Sequence, residues 1–139
     1  MNQETITKLL SINHQFYQTF AADFDATRQR LQPGVERVLD LIPSNARILD
    51  LGCGNGELAR ELARREFAGD YVGVDFSEGL VARCQVSGVE VSGEEVSGEE
   101  VSGGRYQFRV ADLTASDWEA GMEGTFDVVV AFAVFHHLP

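Results

Sequence analysis

Three glycines at alternate positions, placed directly after an apolar run, constrain the fold of this chain more than any other feature. The run Ile48–Leu51 is followed by Gly52, Gly54 and Gly56, and a helical pattern begins directly after them. A strand, a tight glycine turn and a helix in that order open a doubly wound α/β unit. Glycine accepts positive φ and lets backbone approach a ligand, so we expect a ligand site here. The alternative is a turn that merely packs a helix on a strand.

The charges around the turn favour a cationic ligand over a diphosphate. A diphosphate-binding turn has the spacing G-x-G-x-x-G, but here the third glycine comes one position early and Glu57 stands in its place. Asp50 also enters the turn directly from the strand. A carboxylate repels a pyrophosphate and attracts an ammonium or sulfonium group. S-adenosylmethionine carries both cations, whereas NAD, the competing ligand for such a unit, carries a pyrophosphate.

A second acidic residue, Asp75, follows the short apolar strand Tyr71–Val74. An acid at the end of a strand, about 20 residues beyond the glycines, suits two ribose hydroxyls. Ser77 is the better N-cap for the helix that follows, which we expect to leave Asp75 for the sugar. We expect Phe76 to lie against the adenine.

Four motifs in succession resemble the class I S-adenosylmethionine-dependent methyltransferases. They are ILDLGCGNG, VGVDFS, VADL (Val110–Leu113) and FDVVVAFAVFHHL (Phe126–Leu138). The segment FYQTFAADFDATR (Phe16–Arg28) is more narrowly similar to the enzymes that methylate a carboxymethyl group on tRNA wobble uridines, and related bacterial methyltransferases share it. The resemblance implies S-adenosyl-L-methionine as the cofactor and a Rossmann-like α/β fold, with a mostly parallel sheet of order 3-2-1-4.

The resemblance also implies a site built from several strand ends. An acid at Asp112 would accept the adenine amino group, and the N–H of Leu113 would reach a ring nitrogen. Residues 1–45 would form helices that cover the cofactor, with Tyr17 and Arg28 near it. The expected cofactor-binding residues are Tyr17, Arg28, Asp50, Gly52, Cys53, Gly54, Asn55, Gly56, Asp75, Phe76, Asp112, Leu113, Ala131 and Phe132.

No catalytic residue can be assigned from the sequence. His136 and His137 open a helical segment, and one of them is a candidate general base. The alternative is one packed and one exposed histidine. Cys53 and Cys84 are too few and too far apart in the sequence to indicate a disulfide framework or a metal site.

Hydrophobic periodicity predicts N-terminal helices over 1–45, and the resemblance implies a cofactor-binding domain over 46–139. The valine run in the fourth strand suggests burial on both faces. We expect helices over 4–30, 34–42 and 57–65 and from Ser77 through Cys84, and strands over 48–51, 71–75, 106–111 and 126–132.

The stretch Val86–Gly104 repeats VSGVE or VSGEE with a period of five residues. That period matches neither a strand nor a helix, so successive valines cannot share a face. Its Gly, Ser and Glu content predicts a solvated, low-complexity insertion. Binding of calcium or of a basic partner is the alternative.

The net charge of −11 bears on the partners of the chain. Nucleic-acid binding normally requires a basic face, so direct tRNA binding is doubtful, although a local patch around Arg28, Arg30 and Arg37 is conceivable. The sequence has neither a membrane-spanning run nor a signal peptide, which makes the cytoplasm the expected location.

The resembled fold has seven strands, and this chain stops after the fourth. We therefore expect an apolar sheet edge that is covered by a second copy of the chain or by another polypeptide; the alternative is a marginally stable fragment. The expected function is methyl transfer from S-adenosylmethionine to a small molecule or a modified nucleoside. The alternative is a non-catalytic fragment that binds S-adenosylmethionine or S-adenosylhomocysteine and acts through self-association.

Overall fold

The structure, a computed structural model, describes residues 2–27, 31–84 and 105–132. The repeat segment therefore lies outside the described residues, as do Arg28, His136 and His137. The elements in chain order are α1 (Gln3–Thr27), α2 (Pro33–Leu39), β1 (Arg47–Leu51), α3 (Glu57–Arg64), β2 (Asp70–Asp75), α4 (Glu78–Val81), β3 (Tyr106–Val110) and β4 (Val128–Val130).

The four strands form one parallel sheet in the order β3-β2-β1-β4, which confirms the predicted topology. In the register of the sheet, Asp50 lies opposite Gly73 on one side and Val130 on the other. Asp75 lies opposite Val110. Since the strands are parallel, their carboxyl ends meet at one edge, where ligands bind in open α/β sheets.

The sheet has two faces, which we name by what covers them. The helix face packs on α2 and α3, because alternate strand residues such as Ile48, Tyr71 and Tyr106 join Leu39 and Leu62 in one core cluster. The loop face carries Leu49, Val72 and Val74, which pack against partly buried side chains of the segment after β3, namely Ala111, Leu113, Trp118, Met122 and Phe126. Both faces are hydrophobic, but the helix face holds the larger cluster.

Local signals account for the helix boundaries. Pro33 occupies the first turn of α2, where its missing N–H costs nothing. The Ser77 hydroxyl accepts a hydrogen bond from the N–H of Leu80 at 3.3 Å, which confirms the predicted cap. However, α4 ends at Val81, and the backbone of Cys84 lies in a turn, where its N–H donates to the Val81 carbonyl.

The prediction that the fourth strand is buried on both faces is wrong. Val130 is 7% exposed on the helix face, whereas its neighbour Val129 is 58% exposed on the loop face. The strand is also shorter than expected, covering Val128–Val130. The physical reason is that β4 is an edge strand of the sheet that the described residues form, and the loop-face cluster packs on the central strands β1 and β2 instead.

Candidate functional site

The glycine turn after β1 is fastened to the end of β2. Gly52, Gly54 and Gly56 have φ of 78°, 56° and 82°, a backbone region that other residues rarely adopt. The N–H groups of Gly52 and Cys53 both donate to the Val74 carbonyl, at 2.7 and 3.0 Å. The turn therefore lies at the carboxyl edge of the sheet, directly before α3.

Asp75 joins this turn to the helix that follows β2. Its Oδ2 accepts the N–H of Gly54 at 3.0 Å, and its Oδ1 accepts the N–H of Ser77 at 2.9 Å. The side chain is only 8% exposed, and this burial raises its pKa although the backbone N–H groups oppose the change. Asp75 therefore has a structural role that the sequence analysis did not foresee, and its contact with a ribose stays a prediction.

Asp50 is buried beneath the glycine turn and is not exposed at the candidate site. Its side chain is 3% exposed and its Oδ2 accepts the hydroxyl of Tyr71 at 2.6 Å. Burial raises the pKa of Asp50 to about 7; the Tyr71 hydrogen bond lowers it and the nearby Asp75 carboxylate raises it further. Near neutral pH, Asp50 therefore carries only part of the negative charge that the sequence argument assigned to it.

Small residues let the turn approach β2 closely. A Cβ on Gly73 would come within 2.9 Å of both the Cys53 Cβ and the Tyr71 hydroxyl. A Cβ on Gly56 would lie 3.3 Å from the Cys84 sulfur. The space beneath the turn is thus filled by Cys53, Cys84 and the Tyr71 hydroxyl. Sequence reasoning missed Tyr71 and Cys84 because neither belongs to a recognisable motif.

The residues after β3 lie beside the end of β2, because the Ala111 N–H donates to the Asp75 carbonyl at 3.0 Å. Asp112 is exposed, and its Oδ1 accepts both the N–H and the hydroxyl of Thr114, at 2.9 and 2.6 Å. Among the described residues, no donor contacts its Oδ2. Leu113 packs in the loop-face cluster.

The remaining predicted site residues surround the turn to different degrees. Asn55 is 2% exposed, and its carbonyl accepts a hydrogen bond from Arg60 at 2.6 Å, a contact the sequence analysis missed. Ala131 and Phe132 follow β4 and are half-buried, and Phe132 packs against the helix-face cluster. These two residues reach the same edge of the sheet as Asp50.

The N-terminal helix contacts the site at Phe76. The ring of His14 in α1 lies 5.7 Å from the ring of Phe76, centroid to centroid. Phe76 follows Asp75 directly, so α1 lies next to the carboxyl end of β2. Tyr17 belongs to α1, but its side chain is outside the description, as is the whole of Arg28.

Neither a membrane span nor a metal cluster is found within the described ranges. No helix there is long and apolar enough to cross a membrane. No group of three or more His, Cys, Asp or Glu side chains there is arranged to hold a metal ion.

A parallel 3-2-1-4 sheet with a positive-φ glycine turn after β1 and an acid at the end of β2 defines a Rossmann-like α/β domain. The chain belongs to the family described as "Methyltransferase domain", whose family model matches residues 20–139.

Two curated proteins illustrate the breadth of this family. The chain is 33% identical over 63% of its length to the protein-lysine N-methyltransferase EFM4 of Saccharomyces cerevisiae. It is 31% identical over 90% of its length to the tRNA (carboxymethyluridine(34)-5-O)-methyltransferase of Arabidopsis thaliana. The chain spans only 37% and 25% of the lengths of these two relatives.

A solved structure shares the fold. The magnesium protoporphyrin IX methyltransferase of Synechocystis PCC 6803, crystallised with bound SAM, matches with a TM-score of 0.57 at 21% identity. The match covers 94% of this chain and 64% of that one. The Rossmann-like fold predicted from the motifs is therefore confirmed.

Proposed function

We propose that this chain carries the S-adenosyl-L-methionine site of a methyltransferase that transfers a methyl group to a small molecule or a modified nucleoside. The observation that carries the proposal is the glycine turn, bonded through Gly54 to the buried Asp75 at the carboxyl edge of a parallel sheet. When bound, S-adenosylmethionine supplies a methyl group activated by its sulfonium. The residues present fit such a ligand, because the site combines a close-approach turn with carboxylates on two neighbouring strands.

The residues of the strand ends take separate parts of the cofactor in this proposal. Asp75, whose carboxylate already accepts the N–H groups of Gly54 and Ser77, also accepts the ribose hydroxyls. The Oδ2 of Asp112 accepts a hydrogen bond from the adenine amino group, and the N–H of Leu113 donates to a nitrogen of the adenine ring.

The turn itself, from Gly52 through Cys53, Gly54 and Asn55 to Gly56, borders the methionine part together with Ala131 and Phe132. Asp50 supports the turn from below through Tyr71. We assign residues 1–45, which include Tyr17 and Arg28, as a lid over the 46–139 domain. The contact between His14 and Phe76 supports that placement for α1.

Catalysis in this proposal comes mainly from positioning. Holding a nucleophile in line with an activated methyl carbon converts a bimolecular reaction into an effectively unimolecular one. The chain's part is to bind the donor rigidly and to exclude water from it. We assign no general base within the described residues.

The acceptor is constrained by charge. The relatives are named for protein lysine and for a tRNA nucleoside. With a net charge of −11, this chain is poorly suited to hold a polyanionic tRNA by itself. We therefore favour a small molecule or a modified nucleoside as the acceptor, in the cytoplasm.

The exposed side of β4 supports self-association as a second element of the proposal. Val129 exposes 58% of its surface on the edge strand of a parallel sheet. Edge strands with apolar side chains favour pairing with another chain. We propose that two copies associate through β4. A non-catalytic role that combines cofactor binding with this association is the alternative function.

Calorimetry tests the cofactor assignment directly. We expect the purified chain to bind S-adenosylmethionine and S-adenosylhomocysteine, and not NAD. Asp112→Asn removes the proposed acceptor for the adenine amino group and should weaken both affinities about tenfold. Asp117→Asn, a change at an exposed aspartate in the same segment, should leave them unchanged.

Two results would contradict the proposal. One is a folded chain that binds NAD in preference to S-adenosylmethionine. The other is equal loss of affinity in both aspartate variants. Transfer of labelled methyl from S-adenosylmethionine to a panel of acids, phenols and tRNA then separates the enzyme from the non-catalytic alternative.

A further inference from the structure

Two cysteines that are distant in the sequence meet beneath the glycine turn. Cys53 lies inside the turn and Cys84 follows α4, and each is 7% exposed and free of a disulfide. The Cys84 sulfur lies 3.3 Å from the Gly54 carbonyl oxygen, and the Cys53 sulfur lies 3.9 Å from the same oxygen. The fold therefore brings both thiols to the same buried carbonyl oxygen.

The pair is held in place from both sides. A Cβ on Gly73 would lie 3.0 Å from the Cys53 sulfur, and a Cβ on Gly56 would lie 3.3 Å from the Cys84 sulfur. The Cys84 thiol also contacts the Leu80 carbonyl at 3.6 Å. Close packing leaves the sulfurs few alternative positions, so an oxidised sulfur would meet the other cysteine before any other thiol.

We propose that Cys53 and Cys84 are a reversible dithiol–disulfide site whose oxidation weakens ligand binding at the glycine turn. The disulfide itself rests on the approach of both sulfurs to the Gly54 carbonyl oxygen. Its effect on S-adenosylmethionine rests on the proposed function.

The reaction balances with a peroxide as the oxidant. The peroxide converts one thiol to a sulfenic acid as its O–O bond breaks and one water leaves. The other thiol then attacks the sulfenic sulfur, forms the S–S bond and releases the second water. The neighbouring Cys84 side chain and burial raise the pKa of the Cys53 thiol, so the reaction is slow at neutral pH.

Oxidation changes the turn because it removes both thiol hydrogens. The buried Gly54 carbonyl then loses its thiol donors, and an unsatisfied buried carbonyl is costly. The N–H of Gly54 also donates to Asp75, so a shift of the Gly54 backbone disturbs both its carbonyl and this hydrogen bond. We expect about tenfold weaker binding of S-adenosylmethionine, equivalent to one lost buried hydrogen bond.

The test compares reduced and peroxide-treated full-length chain. Peptide mapping under non-reducing conditions should find Cys53 joined to Cys84, with the intact mass lower by two hydrogen atoms. Calorimetry should find weaker binding of S-adenosylmethionine, and dithiothreitol should restore it. Cys84→Ser keeps a donor for Gly54 and leaves Cys53 in place, so it should bind like the reduced chain before and after peroxide.

Three outcomes would overturn the proposal. They are sulfinic acids or intermolecular disulfides in place of the internal bridge, a bridge that leaves the affinity unchanged, and a Cys84→Ser chain that loses affinity under peroxide as the parent does. The reversal by dithiothreitol needs no variant, so it decides the matter even if Cys84→Ser fails to fold. Because mapping detects the bridge without a ligand, a reduced chain that binds no S-adenosylmethionine refutes the proposed function separately.

Discussion

The helix face and the loop face belong to the same four strands, yet they bury different chemistry. The helix face encloses the Asp50 carboxylate and the Tyr71 hydroxyl, hydrogen-bonded at 2.6 Å, beside its hydrophobic cluster. The buried members of the loop face are Leu49, Val72 and Val74, which are all aliphatic. One face of the sheet therefore serves both as core and as foundation of the candidate site.

The difference also concerns what covers each face. Regular helices cover one face, and α3 contributes Leu58, Ala59 and Leu62 to it. The other face is covered by the segment after β3, whose turns are pinned by contacts such as that of Arg109 with the Ala120 carbonyl. A helix resists collapse into a cavity better than a segment of turns does. We therefore expect substitutions on the helix face to lower the free energy of unfolding more than substitutions on the loop face, and also to disturb the candidate site.

Truncation of one residue on each face of β1 gives the largest expected effect. Ile48 is fully buried on the helix face, and Leu49 is 5% exposed on the loop face. Ile48→Ala should lower the free energy of unfolding by about 4–5 kcal/mol, because the helices cannot close the cavity. Leu49→Ala should cost about 2–3 kcal/mol, because the covering segment can relax. Urea unfolding monitored by circular dichroism measures both.

A change at an exposed residue calibrates this experiment. Leu41→Ala, at a side chain that is 82% exposed, should alter stability by less than about 0.5 kcal/mol. Equal losses of stability for Ile48→Ala and Leu49→Ala would contradict the expected difference, since they would mean that the helices and the segment after β3 are equally rigid.

Removal of the buried charge on the helix face should change how stability depends on pH. Burial raises the pKa of Asp50 from 3.8 to about 7, so the folded chain binds more protons than the unfolded chain between these values. Stability from this group is therefore greatest at low pH, falls as pH rises from 4 to 7, and is constant above that. The full difference corresponds to about 4 kcal/mol.

Asp50→Asn keeps an oxygen for the Tyr71 hydroxyl but cannot ionise. The variant should be more stable than the parent at pH 8, by up to about 4 kcal/mol, and should lose this advantage by pH 4. Asp117→Asn, at an exposed aspartate, serves as the control and should follow the parent at every pH. If the stability of all three chains depended on pH in the same way, the raised pKa of Asp50 would be refuted.

The position of the turn could be predicted because it is written in local sequence, whereas the order of the strands was implied by the resemblance to a known family. Three glycines mark the turn, Ser77 marks a helix start, and apolar runs mark the strands. The bond between Asp50 and Tyr71 could not be predicted in the same way. It depends on the parallel register that places β1 beside β2, and a tyrosine in a strand gives no sign of its partner.

The contact of Cys84 with the glycine turn was missed for a related reason. Cys84 reaches the turn only because α4 is short and a further turn returns the chain toward Gly54. The valine run of β4 was misread because composition cannot distinguish a central strand from an edge strand. Burial of Val129 depends on what lies over the sheet, which no local pattern reports.

Two adjacent valines of β4, one on each face of the sheet, allow a further comparison of the faces, with the smallest expected effects. Val130→Thr places a hydroxyl in the helix-face cluster and should cost about 1–3 kcal/mol. Val129→Thr makes the same substitution at an exposed position and should cost less than about 0.5 kcal/mol in the monomer. If two copies pair through β4, the cost of Val129→Thr should grow with protein concentration, because association stabilises only the folded chain. Urea unfolding at two protein concentrations therefore shows whether Val129 is exposed to solvent or covered by a second copy of the chain.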